Sequence, residues 1–334
     1  MVRVAINGFG RIGRQAFKAL LERRNVDVVA VNDLTDNAVL AHLLSFDSVY
    51  GEFEKAVKAS DKHIMVGGKK IHALSEKNPK KLPWKRLGVD IVLEATGVFR
   101  NPSDALAHVR AGAKKAVITA PPKGETCSQY ILNVNTDKYD PAEEDVVSMA
   151  SCTTNCLAPM VKVLHQGLGI EKGFMTTIHA YTADQNLVDG PHRDLRRARA
   201  AAVNIVPTTT GAAKAITTIF TGLEGKLDGT AIRVPVPTGS ITDFTCLVEK
   251  ETSVKKVNAL FKKASKGNLK QNLEYSEHEI VSADVIGNAH GCVFDSKLTK
   301  ANGRLVKAFG WYDNEWGYSS LLADFVQFLA KKGF

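Results

Sequence analysis

Val2-Arg3-Val4-Ala5-Ile6-Asn7-Gly8-Phe9-Gly10-Arg11-Ile12-Gly13 opens the chain with an apolar run, a Gly-x-Gly-x-x-Gly pattern and the start of a helical stretch that continues to Leu21. The glycine pattern alone occurs by chance. A strand before it and a helix after it give it meaning. Gly8 permits a tight turn, Gly10 lets the backbone approach a pyrophosphate, and Gly13 allows close packing of helix on strand. Free N–H groups at the helix start, with the helix dipole, then favour phosphate there. A second strand-like run, Val26–Val31, ends at Asn32-Asp33, where a ribose-binding acid is expected. The Asp33 carboxylate would accept both ribose hydroxyls and repel a 2′-phosphate, so the pattern favours NAD over NADP.

Outward from this unit, Val89–Glu94 and Lys115–Thr119 read as further strands and Pro102–Ala111 as a helix. The alternation predicts a parallel sheet with crossover helices. His63–Val66 and Lys69–Ala73 flank Gly67-Gly68 and predict an added antiparallel hairpin. After Ser151 the texture changes. A helical stretch, Cys152–Gln166, leads into longer strand-like runs at Gly173–Tyr181, Thr230–Val236, Ile241–Glu249 and Arg304–Trp311. Alternation of Phe244, Cys246 and Val248 suits a half-buried antiparallel strand. A helix pattern at Tyr318–Lys331 closes the chain, and periodicity does not assign it to either domain. The expected fold class is α/β: a Rossmann-type dinucleotide-binding domain, 1–150, and an α+β catalytic domain, 151–314, with a mostly antiparallel sheet.

With 334 residues, 44% hydrophobic and 24% charged, the chain is long enough for two ordinary cores. No apolar run approaches the roughly 18 residues of a membrane helix. The opening residues lack a basic-then-apolar signal, and five cysteines without Cys-x-x-Cys spacing fit free thiols. These features predict a cytoplasmic protein with no membrane partner and no metal site. The net charge of +9 permits nucleic acid, but no binding motif indicates it. A solvated lysine-rich surface, partly serving an anionic substrate and cofactor, is the simpler reading.

Ser151-Cys152-Thr153-Thr154-Asn155-Cys156 lies between a strand-like run and an apolar helix. Ser151 suits an N-cap. Cys152 would then stand at the first helical position, where the dipole favours a thiolate. From chemistry alone it could equally be a small core residue. Together with Asn7–Arg14, this hexapeptide closely resembles the phosphorylating glyceraldehyde-3-phosphate dehydrogenase family. Collinear matches run along the whole chain: Glu94-Ala-Thr-Gly97, Thr177-Ile-His-Ala-Tyr-Thr182, Asp194-Leu-Arg-Arg-Ala-Arg-Ala200, Pro207-Thr-Thr-Thr-Gly-Ala-Ala213, Arg233-Val-Pro235 and Trp311-Tyr-Asp-Asn-Glu315.

The resemblance implies Cys152 as nucleophile and His179 as acid–base, a choice that sequence alone does not make among nine histidines. It implies NAD-dependent oxidation of glyceraldehyde 3-phosphate to 1,3-bisphosphoglycerate in glycolysis, through a hemithioacetal and a thioester on Cys152 attacked by inorganic phosphate. Ser151, Thr153, Thr182, Arg197, Thr210, Gly211 and Arg233 match the residues that hold the substrate phosphate and the attacking phosphate. Gly8, Gly10, Arg11, Ile12, Gly13, Asp33, Lys77, Thr119 and Asn314 match cofactor contacts, Asn314 at the nicotinamide carboxamide. Lys77 stands where many members have arginine, so a backbone contact would survive and a stacked guanidinium would not. The resemblance also implies a homotetramer and a terminal helix, 315–334, that returns to the cofactor domain. Erythrose-4-phosphate dehydrogenase, of the same fold, is the alternative.

Overall fold

The computed structural model describes residues 1–334. By its internal contacts the chain divides into two units, one of 1–130, 138–150 and 322–334, the other of 131–137 and 151–321.

In the first unit, β1 (Val2–Asn7), α1 (Arg11–Leu21) and β2 (Val26–Asn32) form a parallel crossover, as the glycine pattern predicts. α2 (Asn37–Ser45) follows, capped by the Asp36 side chain on the Ala38 amide. Next come a small ribbon, β3 (Phe46–Asp47) with β4 (Gly51–Glu52), and then β5 (Val57–Ser60), β6 (His63–Val66) and β7 (Lys69–Leu74). β8 (Ile91–Glu94), α3 (Pro102–Arg110), β9 (Lys115–Ile118) and β10 (Val146–Ser148) complete the unit's strands. α3, expected as a helix from the sequence, begins with an Asn101 cap and proline at the first helical position. The sheet order is β10-β9-β8-β1-β2-β7-β6-β5. Pairings from β10 to β7 are parallel, while β6 and β5 are antiparallel additions at one edge. β8 is buried at every position, as a strand covered on both faces must be.

Strand order reverses between β1 and β8. The loops leaving their carboxyl ends therefore part and open a crevice, the usual ligand position in such sheets.

The second unit contains α4 (Cys152–Leu168), β11 (Ile170–Ala180), β12 (Val206–Thr209), α5 (Ala212–Ile219), β13 (Leu227–Val234), β14 (Ser240–Val248) and α6 (Val254–Lys266). β15 (Leu273–Ser276), β16 (Cys292–Asp295), β17 (Lys300–Asn302) and β18 (Leu305–Tyr312) follow. The main sheet runs β12-β13-β11-β14-β18-β16-β15. It is mostly antiparallel, the exceptions being β11 with β13 and β15 with β16. In the β11–β13 register His179 stands beside Arg233. β14 alternates strictly, with Phe244, Cys246 and Val248 buried under α4.

α2, α5 and α6 carry weaker sequence signals and appear only in the structure. α6 starts where the Ser253 hydroxyl accepts the Lys256 amide. The last helix, α7 (Trp316–Lys332), begins after Asp313, whose carboxylate accepts the Glu315 and Trp316 amides. From Leu322 onward it groups with the first unit, where Asp324 meets Arg23 at 2.6 Å and Gln327 donates to the Arg24 carbonyl. No helix is long and apolar enough to cross a membrane.

Candidate active site

In the first unit the crevice is a cavity of about 750 Å³ lined by Asn7, Gly8, Gly10, Asn32, Asp33, Lys77, Thr96 and neighbouring residues. Its three glycines serve different ends. A Cβ on Gly8, whose φ is +94°, would lie 2.5 Å from the Thr96 nitrogen. One on Gly13 would lie 2.1 Å from the Gly8 carbonyl oxygen. These two positions compress the turn against β8 and α1. A Cβ on Gly10 would meet nothing within 4 Å. It would instead project into space beside the cavity, so this glycine leaves room rather than relieving a clash.

α1 begins at Gly10 with no side chain capping its first amides and no acid in its first turn. Such a start suits an anion. The partly buried Asp33 carboxylate accepts the Phe9 amide at 2.8 Å and the Thr35 amide at 3.0 Å. A carboxylate accepts about four hydrogen bonds, so acceptor capacity remains for a diol. The fit to a dinucleotide thus rests on an open cradle, uncapped amides and a placed acid.

Ile12 continues α1 behind Arg11, whose guanidinium is turned to Asp47 at 2.6 Å. Exposed Lys77 lies at the cavity rim. Thr119 donates its hydroxyl to the Glu94 carbonyl at 3.0 Å.

The second unit gathers the remaining predicted residues. The Ser151 hydroxyl accepts the Thr154 amide at 3.0 Å and caps α4, which places Cys152 first in the helix. Cys152 Sγ lies 3.4 Å from His179 Nε2. His179 Nδ1 is 2.7 Å from the Ala180 carbonyl oxygen. A carbonyl only accepts, so Nδ1 carries the ring proton and Nε2 presents its lone pair to the sulfur. Arg233 Nη1 donates to that same carbonyl and to the Thr182 hydroxyl, both at 3.1 Å.

Burial pushes the Cys152 thiol up to about 11, against the pull of Arg233 and of the Thr153 amide and hydroxyl. Burial, then Arg233, pushes the His179 imidazole down to about 3. The resting pair is therefore a thiol beside a neutral base. The helix start favours a thiolate as the sequence suggests, but desolvation outweighs it. Cys127 and Cys246 are pushed further, to about 12, and Cys292 is also raised, each mainly by burial. Only Cys152 has a hydrogen-bonded base.

Around this pair the site is cationic. Burial, and then neighbouring Arg197, push the Arg233 guanidinium down from its ordinary value, opposed chiefly by Cys152. Buried Arg233 Nε has no partner. An unpaired buried donor is expensive. Arg197 is engaged: it pairs with Asp184 and donates to the Thr208 hydroxyl at 2.9 Å. Thr210 accepts the Ala212 amide at the start of α5, whose N-cap is Gly211. The Thr153 hydroxyl is taken up by Tyr312 at 2.9 Å, and Tyr312 also meets the Thr177 hydroxyl at 2.7 Å. Tyr312 lies within the Trp-Tyr-Asp-Asn-Glu motif, yet its place against His179 was not legible there.

Asn314 is 5% exposed. Ser240 accepts the Ala180 amide and so turns its own proton to Asn314 Oδ1, at 2.9 Å. That assigns Oδ1 as the acceptor of this contact and the NH₂ as the donor end of the carboxamide.

The profile described as the glyceraldehyde 3-phosphate dehydrogenase NAD binding domain matches residues 2–102. That of the corresponding C-terminal domain matches residues 151–314. The chain is 54% identical to a glyceraldehyde-3-phosphate dehydrogenase of Streptomyces coelicolor over 334 residues, covering 99% of each chain. It is also 54% identical to the proteins of that name from Mycobacterium avium and Mycobacterium tuberculosis, again over 99% of each chain.

Proposed function

Because the chain belongs to the glyceraldehyde-3-phosphate dehydrogenase family, we propose that it oxidises glyceraldehyde 3-phosphate with NAD and inorganic phosphate, using Cys152 as nucleophile and His179 as base. The observation that carries this reading is the Cys152–His179 contact at the start of α4, with Arg233 beside it.

Sγ attacks the aldehyde carbon as its proton passes to Nε2, giving a hemithioacetal. Once the alkoxide is protonated, His179 again presents a bare Nε2 to the new hydroxyl and can draw its proton off. Bound NAD supplies the hydride acceptor for that oxidation. The product on Cys152 is a thioester, reactive enough for phosphate oxygen to attack its carbonyl. Collapse then releases 1,3-bisphosphoglycerate and returns the sulfur. Arg233 and Thr182 supply the donors for one phosphate. Ser151, Thr153, Arg197, Thr210 and Gly211 serve the pair of anion sites, with Arg197 exchanging its Asp184 contact for phosphate. Gly8, Gly10, Arg11, Ile12, Gly13, Asp33, Lys77 and Thr119 serve the cofactor, and Asn314 offers its NH₂ to the carboxamide oxygen.

NADH formation tests the whole reading. It should require glyceraldehyde 3-phosphate and inorganic phosphate together. Faster turnover of erythrose 4-phosphate, without need of phosphate, would favour the alternative.

Asp33 governs the choice of cofactor. NAD should be strongly preferred over NADP in kcat/KM, and Asp33→Asn should narrow the gap chiefly by weakening NAD. Loss of an anionic acceptor at the ribose hydroxyls should cost about 1.5–3 kcal/mol. Equal efficiency with both cofactors in the unmutated protein would refute this role.

The proposed assembly is a homotetramer working in the cytoplasm. Leu187, Val188, Leu195, Val203 and Ile205, all within 187–205, are each at least 70% exposed in the single chain, which suits a segment that a neighbouring subunit covers. Light scattering should report about four times the 36.2 kDa chain mass. A fully active monomer would contradict it.

A further inference from the structure

Under the cofactor crevice lies a cluster of buried polar groups that the reaction does not use. Glu94, at the end of β8, is 2% exposed. Its Oε2 accepts Asn7 Nδ2 at 2.6 Å and faces His108 Nε2 at 2.9 Å. Its Oε1 accepts the Thr96 amide at 2.9 Å and the Thr96 hydroxyl. Those four donors fill the carboxylate's capacity. Behind it, His108 and Trp84 are fully buried. Trp84 Nε1 donates to His108 Nδ1 at 3.0 Å. Indole only donates, so Trp84 forbids a proton on Nδ1 and fixes the ring's proton on Nε2, aimed at Glu94. On the other side Asn7 Oδ1 accepts Asn32 Nδ2 at 2.7 Å. Asn32 then takes the Glu76 amide at 2.8 Å. Donors and acceptors converging on Glu94 thus tie the carboxyl ends of β1, β2 and β8 to the crevice loops after β7 and β8.

We propose that Glu94 and His108 are positioning residues of the NAD site, setting cofactor affinity from behind through the hydrogen-bond polarity of this cluster. Glu94 must accept at every position. Glutamine has the same shape but an NH₂ on one side. That NH₂ would face either the Thr96 amide or the Asn7 and His108 donors. Facing Thr96, it pushes the loop that closes on Gly8; facing Asn7 and His108, it opposes both of their donors. Aspartate at position 7 does the reverse harm, setting two carboxylates against each other where donor and acceptor now meet. Making both exchanges together restores order. The aspartate introduced at position 7 would accept from the glutamine introduced at position 94, from Asn32 and from His108, whose Nε2 already lies 3.5 Å from the Asn7 side-chain nitrogen.

This rests on the cofactor reading of the crevice, and a four-way comparison tests it in the intact protein. Calorimetric titration with NAD should give a Kd about tenfold or more weaker in Asn7→Asp and in Glu94→Gln singly. The double variant should return to within about threefold of the unmutated protein, a coupling that only interacting sites produce. Loss of shape or packing would add, not cancel, because each exchange is nearly isosteric. A double variant as weak as the two losses combined, or a Glu94→Gln variant with undiminished affinity, overturns the proposal. If a single variant does not fold, the double decides alone: near-normal NAD affinity supports the proposal, and failure to fold or bind overturns it. Failure of the unmutated protein to bind NAD would count against the cofactor reading instead.

Discussion

Cys152→Ser lowers NADH formation by about 10⁴-fold or more, while the NAD dissociation constant stays nearly as it was. The Ser151 cap and the helix start survive the change, because they depend on the Thr154 amide and the Ser151 hydroxyl rather than on sulfur. What is lost is the nucleophile. A serine hydroxyl at this place holds its proton far more tightly than the thiol that burial raises to about 11. The matching chemical experiment uses iodoacetamide at neutral pH. Cys152 should be modified before Cys127, Cys156, Cys246 and Cys292. Cys156, Cys246 and Cys292 are buried, and Cys127, partly buried like Cys152, lacks the lone pair that stands 3.4 Å from the Cys152 sulfur to take its proton. Inactivation should follow labelling one for one per subunit. Peptide mapping that finds activity lost while Cys152 is unlabelled would end the assignment.

His179→Asn should slow acylation by about 10²–10⁴-fold, the usual share of a positioned base. The asparagine can keep a bond to the Ala180 carbonyl, but it offers the sulfur no basic nitrogen. Because burial and Arg233 hold the imidazole down to about 3, the unmutated ring stays neutral through the physiological range. The variant's defect should therefore persist at every pH between about 6 and 8, where the histidine would be in its working form. Alkylation of Cys152 should slow along with turnover. A variant that acylates at the normal rate would show that the sulfur loses its proton elsewhere.

The first unit was legible because its signals are local. The apolar run into Gly8, the spacing to Gly13 and the acid after β2 lie within one crossover, and they predict the parallel pairing of β1 with β2, though not its register shift at Val4–Ala5. The second unit's site was not local. His179 and Arg233 come from β11 and β13, separated by a long excursion through β12 and α5, and no periodicity links them. Only the match to a family picked them out. Burial was the other gap. A helix start next to a cysteine argues for a thiolate, and nothing in the hexapeptide reveals the desolvation that reverses it. The cluster of Trp84, Glu94 and His108 was invisible for the same reason, since each residue reads alone as an ordinary core or turn position.

The parallel pairing of β11 with β13 makes the candidate active site a matter of phase. His179 and Arg233 meet because they occupy the same rung of the ladder. Side chains alternate faces along a strand, so deleting one residue between Leu227 and Ile232 would send Arg233 to the opposite side of the sheet. Deleting two would restore the face but leave the guanidinium a full pleat, roughly 6.6 Å, out of step with the imidazole. The connection from residue 181 to 205 does not set this register, but Thr182 and Arg197 lie in it and reach Arg233 and Thr208. Insertions there leave the His179–Arg233 rung in phase only where they fall clear of those two side chains, whereas the strands themselves admit substitution but not slippage.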